Sequence, residues 1–411
     1  MATSNEPWKT DRWFSSPWNY LPEITEQFKM PENLRVHDVT LRDGEQQAGV
    51  EFTTEDKIEI AEKLSAAGVH RIEAGLPAVS PADEAAVRGI VQRELDAEIW
   101  AFSRCVTSDV KLAADCGVTG VVMEIPSSHH LIQEAYQWPV EKAIDLSIEA
   151  TSYARELGLK VSYFPIDATR AGIVQYLDLV STVAEKGAVD SIGLVDTFGV
   201  LSPHAVSFFV RRTRERLNVP LETHFHMDFG MGVANTAIAV AEGAEIMQTT
   251  VTGLGERAGN TPMEETLLAM LTMYGVDTGI KTEDFLAISR EVLDRGGVSQ
   301  PSNRPVVGER LFNVESGIIA TWVKNVGNEK LTEAFPYRPE LVGQPQPEIV
   351  LGKGSGLDSV AVWLDKNGMS AETPVMEAML FEIKSRSLEL KRLLTNDEFL
   401  KIAENQGVKS S

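Results

Sequence analysis

"LRVHDVTLRDGEQQAGVEFTTEDKIEIAEKLSAAGVHRIEAG" occupies residues 34–75. It opens on the β-rich run LRVHDVT (34–40) and closes on another, RIEAG (71–75). Between them, TTEDKIEIAEKLSAAG (53–68) begins with threonine caps and acidic residues and stops at glycine, as helices do. Strand, helix, strand is the start of a parallel arrangement, because parallel neighbours need a long crossover. The rhythm continues with EIWAFS (98–103), GVVMEIP (120–126), KVSYFP (160–165), SIGLVD (191–196), LETHFH (221–226) and EIMQTTVTG (245–253), each followed by a helical stretch. Eight strands alternating with helices over roughly 240 residues predict an α/β fold, a (β/α)8 TIM barrel. A doubly wound sheet is the competitor; the even spacing and the count of eight favour the barrel.

The flanks read differently. Residues 1–31 form an aromatic-rich arm with Trp8, Trp13, Trp18, Tyr20 and Phe28, expected to lie on the domain or on a neighbouring subunit because exposed tryptophan is costly. The barrel is expected over 32–275. GGVSQPSNRPVVGE (296–309) reads as a linker, and the tail from Glu372 to Asn405 reads as helical, so 276–411 is expected to be a separate, mainly helical C-terminal region.

The bulk composition excludes several classes. The net charge of −22 disfavours nucleic acid and anionic membranes as partners. No apolar run approaches the roughly 20 residues that span a bilayer. MATSNEPWKTDRW (1–13) lacks the apolar centre of a signal peptide, and the two cysteines, Cys105 and Cys116, form no CxxC motif. A reduced, cytoplasmic setting is expected.

In a barrel of this kind, chemistry gathers at the C-terminal ends of the strands. That rule selects Arg42, Asp43 and Gln46 after the first strand, Glu73 after the second, Asp196 and Thr197 after the sixth, and His224 and His226 after the seventh. The turn after the eighth, GLGERAGN, carries Glu256, Arg257 and Asn260. Residues i and i+2 of a strand share a face, so His224 and His226 point together into the barrel mouth. With Asp43 they make a two-histidine, one-carboxylate set, suited to a divalent cation acting as a Lewis acid. Arg42 offers a rigid fork of donors for an oxyanion, or else a salt bridge that closes the barrel. Glu73 reads either as the residue that orients Arg42 or as its structural counter-ion. The glycine-rich turn is either a plain turn or an approach for an anionic ligand.

Five segments, DVTLRDGEQ (38–46), IEAGLPAVSPAD (72–83), LVDTFG (194–199), HFHMDFGMGVANTAIAVAEGAE (224–245) and GLGERAGNTPMEE (253–265), occur in that order. They resemble the 2-isopropylmalate synthase and homocitrate synthase branch of the DRE-TIM metallolyase superfamily, the HMG-CoA lyase-like barrels. The likeness is strong over 32–275 and extends through GERLFNVESGI (308–318), PELVG (339–343) and LGKGSG (351–356). The resemblance implies a homodimer, with 276–411 as its dimerisation region, that deprotonates acetyl-CoA, or another acyl-CoA, and adds its enolate to a 2-oxo acid, giving a 2-hydroxy dicarboxylic acid. It implies a divalent metal (Mg, Mn or Zn) on Asp43, His224 and His226 with Asn260 beside it. It further implies Arg42 on the substrate carbonyl, Glu73 supporting Arg42, and Gln46 and Thr197 at the oxo acid. Thr169 and Arg170 of the DATR motif join the substrate side.

The chain departs from the pattern where the acid/base groups of relatives lie. In FNVESGII (312–319), Val314 and Ile319 replace histidines, and Tyr337 is out of register with a tyrosine found in relatives. In YFPIDATR (163–170), Ile166 stands for a glutamate and Phe164 for a serine. Glu45, His129, His130, Tyr163 and Asp167 are candidate substitutes, with His130 of SSHH (127–130) foremost. The alternative activity is a CoA-independent lyase or aldolase that cleaves a hydroxy acid on the same metal scaffold. A third reading is a barrel that has lost catalysis and serves as a partner subunit; the retained Arg42, Asp43, His224, His226 and Asn260 speak against it.

Overall fold

The computed structural model describes residues 6–408. Eight parallel strands close into a barrel in sequential order: β1 (Arg35–Asp38), β2 (Arg71–Glu73), β3 (Glu98–Arg104), β4 (Gly120–Pro126), β5 (Lys160–Ile166), β6 (Ser191–Asp196), β7 (Leu221–Phe225) and β8 (Ile246–Thr249). β1 pairs with β8, Asp38 opposite Thr249, so no edge is left open. The fold is the TIM barrel expected from the strand–helix rhythm, and each strand lies within a few residues of its expected place. A single helical turn, α1 (Pro22–Thr25), precedes the barrel.

The helices between strands begin and end where local chemistry dictates. α2 (Thr54–Ala66) starts in a reciprocal capping box between Thr53 and Asp56. α3 (Pro81–Val91) is capped by Ser80, with proline in its first turn. α4 (Thr107–Cys116) stops at Gly117, which is left-handed. The crossovers are completed by α5 (Val140–Glu156), α6 (Ile173–Lys186), α7 (Pro203–Arg214), α8 (Gly232–Ala241) and α9 (Met263–Met273).

The barrel interior has two characters. Trp100, Phe102, Val122, Phe164 and Val195 pack as an apolar layer. Gly193 makes room for it: a Cβ there would sit 2.6 Å from the Phe164 ring. The remainder is polar and paired. Buried Glu222 accepts from Arg71 (3.1 Å) and Ser191, and lies 3.4 Å from His37 Nδ1. Burial pushes the Glu222 carboxyl up, but His37, Arg71 and Ser191 outweigh it and keep the group ionised far below neutrality.

The chain divides into two compact units, 19–300 and 1–18 with 301–411. This moves both expected boundaries. α10 (Phe285–Gly296) belongs to the barrel unit, because Phe285, Val292 and Leu293 are buried and Arg295 pairs with Asp56 and Glu59 of α2. The aromatic arm is split: Tyr20 donates to Thr272 O (2.9 Å) in the barrel unit, whereas the Phe14 amide donates to Pro336 O (2.9 Å) in the other. That second unit contains β9 (Asn313–Val314) and β10 (Glu348–Ile349), paired in parallel, and α11 (Gly317–Val326), α12 (Leu357–Lys366), α13 (Thr373–Leu390) and α14 (Asn396–Asn405). Its core is built on Trp363, Leu364, Met379, Ile383 and Phe399. No helix among the described residues is long and apolar enough to cross a membrane.

Candidate active site

β1, β2 and β7 deliver the expected residues to one point at the C-terminal mouth. Asp43, His224 and His226 are all buried, and one ligand atom from each lies within 4.8 Å of the others. Asp43 Oδ2 is 3.3 Å from His224 Nε2 and 3.9 Å from His226 Nε2. The hydrogen bonds behind the rings decide the tautomers. Gln248 donates through Nε2 to Glu222 (2.9 Å), so its Oε1 faces His224 Nδ1 (3.0 Å) and accepts from it. His226 Nδ1 donates to Gly259 O (3.2 Å). Both Nε2 lone pairs therefore face inward, and the two atoms are 3.2 Å apart.

This donor set fits a divalent cation. Two imidazole lone pairs and a carboxylate converge without a donor between them. Asp43 Oδ1 and Asn260 Oδ1 are also buried and without a hydrogen-bond partner among the described residues. Asn260 is bridged to His226 through the backbone. Its turn depends on Gly259, where φ is +88° and a Cβ would lie 1.9 Å from Gly253 O. Burial pushes the His226 imidazole down to about 4, which keeps it neutral at pH 7. Burial acts against the Asp43 carboxylate too, but the Arg42 guanidinium and the two histidines hold it well below the usual carboxylate range. Asp228, the third polar residue of HFHMD, faces away and forms a two-pronged pair with Arg257 (2.8 and 3.0 Å).

Arg42 stands beside the cluster. Its Nε pairs with Glu73, and Nη1 reaches Asp43 (3.2 Å) and Gln46 (3.3 Å). Its plane rests on Phe102 at 4.2 Å. Nη2 is buried with no partner among the described residues, leaving one donor for an incoming oxygen. Next to Arg42 and Gln46 is a cavity of about 670 Å³, also bordered by Phe52, Lys57, Leu76 and Asp83.

The rim groups from β4 to β6 form a second network. Asp167 is buried and left-handed (φ 61°). It accepts from Ser128 (2.5 Å), His130 Nε2 (3.0 Å) and Arg170 (2.6 and 3.0 Å). Arg170 stacks on Phe198 at 3.7 Å. Thr197 Oγ1 accepts from the Asp167 amide (2.8 Å), and Thr169 donates to Asp196 (2.6 Å). His130 is half-exposed, its ring held by Asp167.

Of the candidate substitutes for the missing acid/base groups, Tyr163 is corrected and Glu45, at the edge of the cavity, is engaged in an ion pair. Tyr163 points outward, because strand alternation turns it toward α5, where it bonds Ser147 (3.1 Å). Glu45 is bound to Lys57 (2.5 Å) and to the Phe52 amide. The sequence reading passed over Gln248, Glu222, His37 and Glu124. The first three join the sides of the site: His37 Nε2 lies 3.9 Å from Glu73, so Arg42, Glu73, His37, Glu222, Gln248, His224 and Asp43 form a closed ring of polar neighbours. Glu124 was signalled only as the lone charge in an apolar strand.

The chain has relatives among known proteins. It is 39% identical to the homocitrate synthase AksA of Methanopyrus kandleri over 366 residues, 89% of this chain and 91% of that protein. It is 36% identical to the 2-isopropylmalate synthase of Methanocaldococcus jannaschii over 369 residues, 89% and 70% of the two. The HMG-CoA lyase of Bacillus subtilis superposes with a TM-score of 0.60 at 22% identity, over 67% of this chain and 97% of that one, a likeness of fold. The HMGL-like family model matches residues 33–292, and the chain belongs to that family.

Proposed function

We propose that the protein is an acyltransferase that condenses acetyl-CoA, or another acyl-CoA, with a 2-oxo acid to a 2-hydroxy dicarboxylic acid. The observation that carries this is the convergence of Asp43, His224 and His226 beside the free Nη2 of Arg42. A divalent ion held by these residues, with Asn260 adjacent, supplies Lewis-acid polarisation of the oxo acid's carbonyl. Arg42 then faces the oxygen on which charge develops, fixed by Glu73 and Asp43 so that little reorganisation is needed. Gln46 and Thr197 are the substrate's polar contacts, with Thr169 and Arg170 supporting that wall. The His130–Asp167 pair is an acid/base group at the rim, its ring oriented by the buried carboxylate. The cavity beside Arg42 and Gln46 offers room for the acyl donor.

The synthase names of the relatives at 35–39% identity support condensation over the lyase alternative. The two free, buried cysteines support a cytoplasmic setting. Exposed Ile318 and Trp322 on α11, and Phe381 and Leu388 on α13, support a homodimer. The test is CoA release with Mg²⁺ or Mn²⁺, acetyl-CoA and a panel of 2-oxo acids, with products read by mass spectrometry. A product formed with one acceptor and lost in His226→Ala supports the reading. Cleavage of a hydroxy acid without any CoA release overturns it.

A further inference from the structure

The site holds several carboxylates at the mouth, and nearly all are committed. Asp43 faces the histidines, Glu73 binds Arg42, Asp167 binds Arg170, Asp196 accepts from Thr169, and Asp228 binds Arg257. Glu124 is different. It lies on β4 two residues beyond Val122, which is part of the interior layer, so alternation turns its side chain inward. It is in register with Phe164, whose ring meets the His224 ring edge-on at 4.8 Å. Its carboxylate makes no hydrogen bond or ion pair among the described residues, and it is only partly buried. The apolar side chains of Phe164 and Ile166 fill the neighbouring wall.

We propose that Glu124 is the base that takes the proton from the acyl donor, an assignment resting on the condensation reading. The carboxylate removes a methyl proton from the acetyl thioester. The C–H bond breaks, an O–H bond forms on Glu124, and the electron pair moves into the enolate. The enolate carbon attacks the keto carbon of the oxo acid, and the carbonyl pair moves onto oxygen beside Arg42. The proton on Glu124 returns to that alkoxide, and water cleaves the thioester to release CoA as the free thiol. Glu124 ends as it began. Burial raises the Glu124 carboxyl and Arg42 pulls it down, with a net upward shift that suits a group that must both take and give back a proton.

The experiment uses the full chain with Mn²⁺ in D₂O, acetyl-CoA, and either a 2-oxo acid or a non-condensing 2-hydroxy acid in its place. Mass spectrometry reads deuterium entering the acetyl methyl and CoA released. Glu124→Gln is expected to lower both by about 10²–10⁴-fold with Mn²⁺ affinity and oxo-acid KM unchanged, and Glu124→Asp to recover part of the loss. His130→Asn should slow CoA release more than it slows methyl exchange, because the rim pair does not take the methyl proton. Exchange within threefold of wild type in Glu124→Gln, or its loss in His130→Asn instead, overturns the assignment. Glu124-dependent exchange without condensation on any acceptor keeps the assignment and removes the oxo-acid reading. Absence of both exchange and CoA release in the wild type overturns both.

Discussion

His224 donates from Nδ1 to Gln248 Oε1 at 3.0 Å, and the other end of that amide is held by Glu222 at 2.9 Å. The amide can serve His224 in only one orientation, and Glu222 selects it. A residue from the barrel interior thereby sets which nitrogen of a candidate metal ligand is free.

Replacing Gln248 with Leu removes that constraint without removing a ligand. Mn²⁺ affinity, measured by titration calorimetry, should fall by roughly 10–100-fold, with the circular dichroism spectrum unchanged. An unchanged affinity would show that the ring orients itself.

Arg42→Lys keeps the charge but not the fork that reaches Glu73, Asp43 and Gln46 at once. CoA release should fall by about 10²–10³-fold, the range seen when one oxyanion donor is lost. Arg42→Met should also lower stability, by about 3 kcal/mol in chemical denaturation, because Glu73 stays buried without its partner.

Asp38 gives the pH dependence a sign. Its carboxyl is fully buried, and burial raises it to about 7 despite hydrogen bonds from Thr40. The folded protein therefore holds a proton that the unfolded chain releases near pH 4. This contribution to stability is complete below pH 4, and falls by on the order of 4 kcal/mol as pH rises to about 7. Asp38→Asn, which can keep both contacts to Thr40, should flatten the denaturation midpoint between those values.

Gly193→Ala places a methyl against Phe164, which itself packs on His224. The expected cost is about 1–3 kcal/mol. The double variant Gly193→Ala with Phe164→Leu should recover part of it, a non-additivity readable in melting curves.

The barrel was legible because eight β-rich runs alternate with helices, some of which open on a cap or stop at glycine. The cluster of Asp43, His224 and His226 was legible because strand ends collect chemistry and i, i+2 residues share a face. Glu222 and Gln248 were not, since their partners come from β1, β2, β6, β7 and β8, and strand residues inside a barrel carry no sequence mark of what they meet. Tyr163 was misjudged for want of applying to β5 the alternation that located His224 and His226. The boundary at 275 was misplaced because the glycine-rich stretch that ends the barrel unit begins only at Gly296, after α10 has packed on α2.

The proposed chemistry depends on Asp43, His224 and His226 holding one divalent ion. Electron paramagnetic resonance of Mn²⁺ titrated into the metal-free protein tests it most directly. The expected result is one bound ion per chain in the wild type, and binding weaker by about a hundredfold or more in Asp43→Asn and in His226→Ala. Wild-type affinity in both variants, or no bound ion at all, would contradict it.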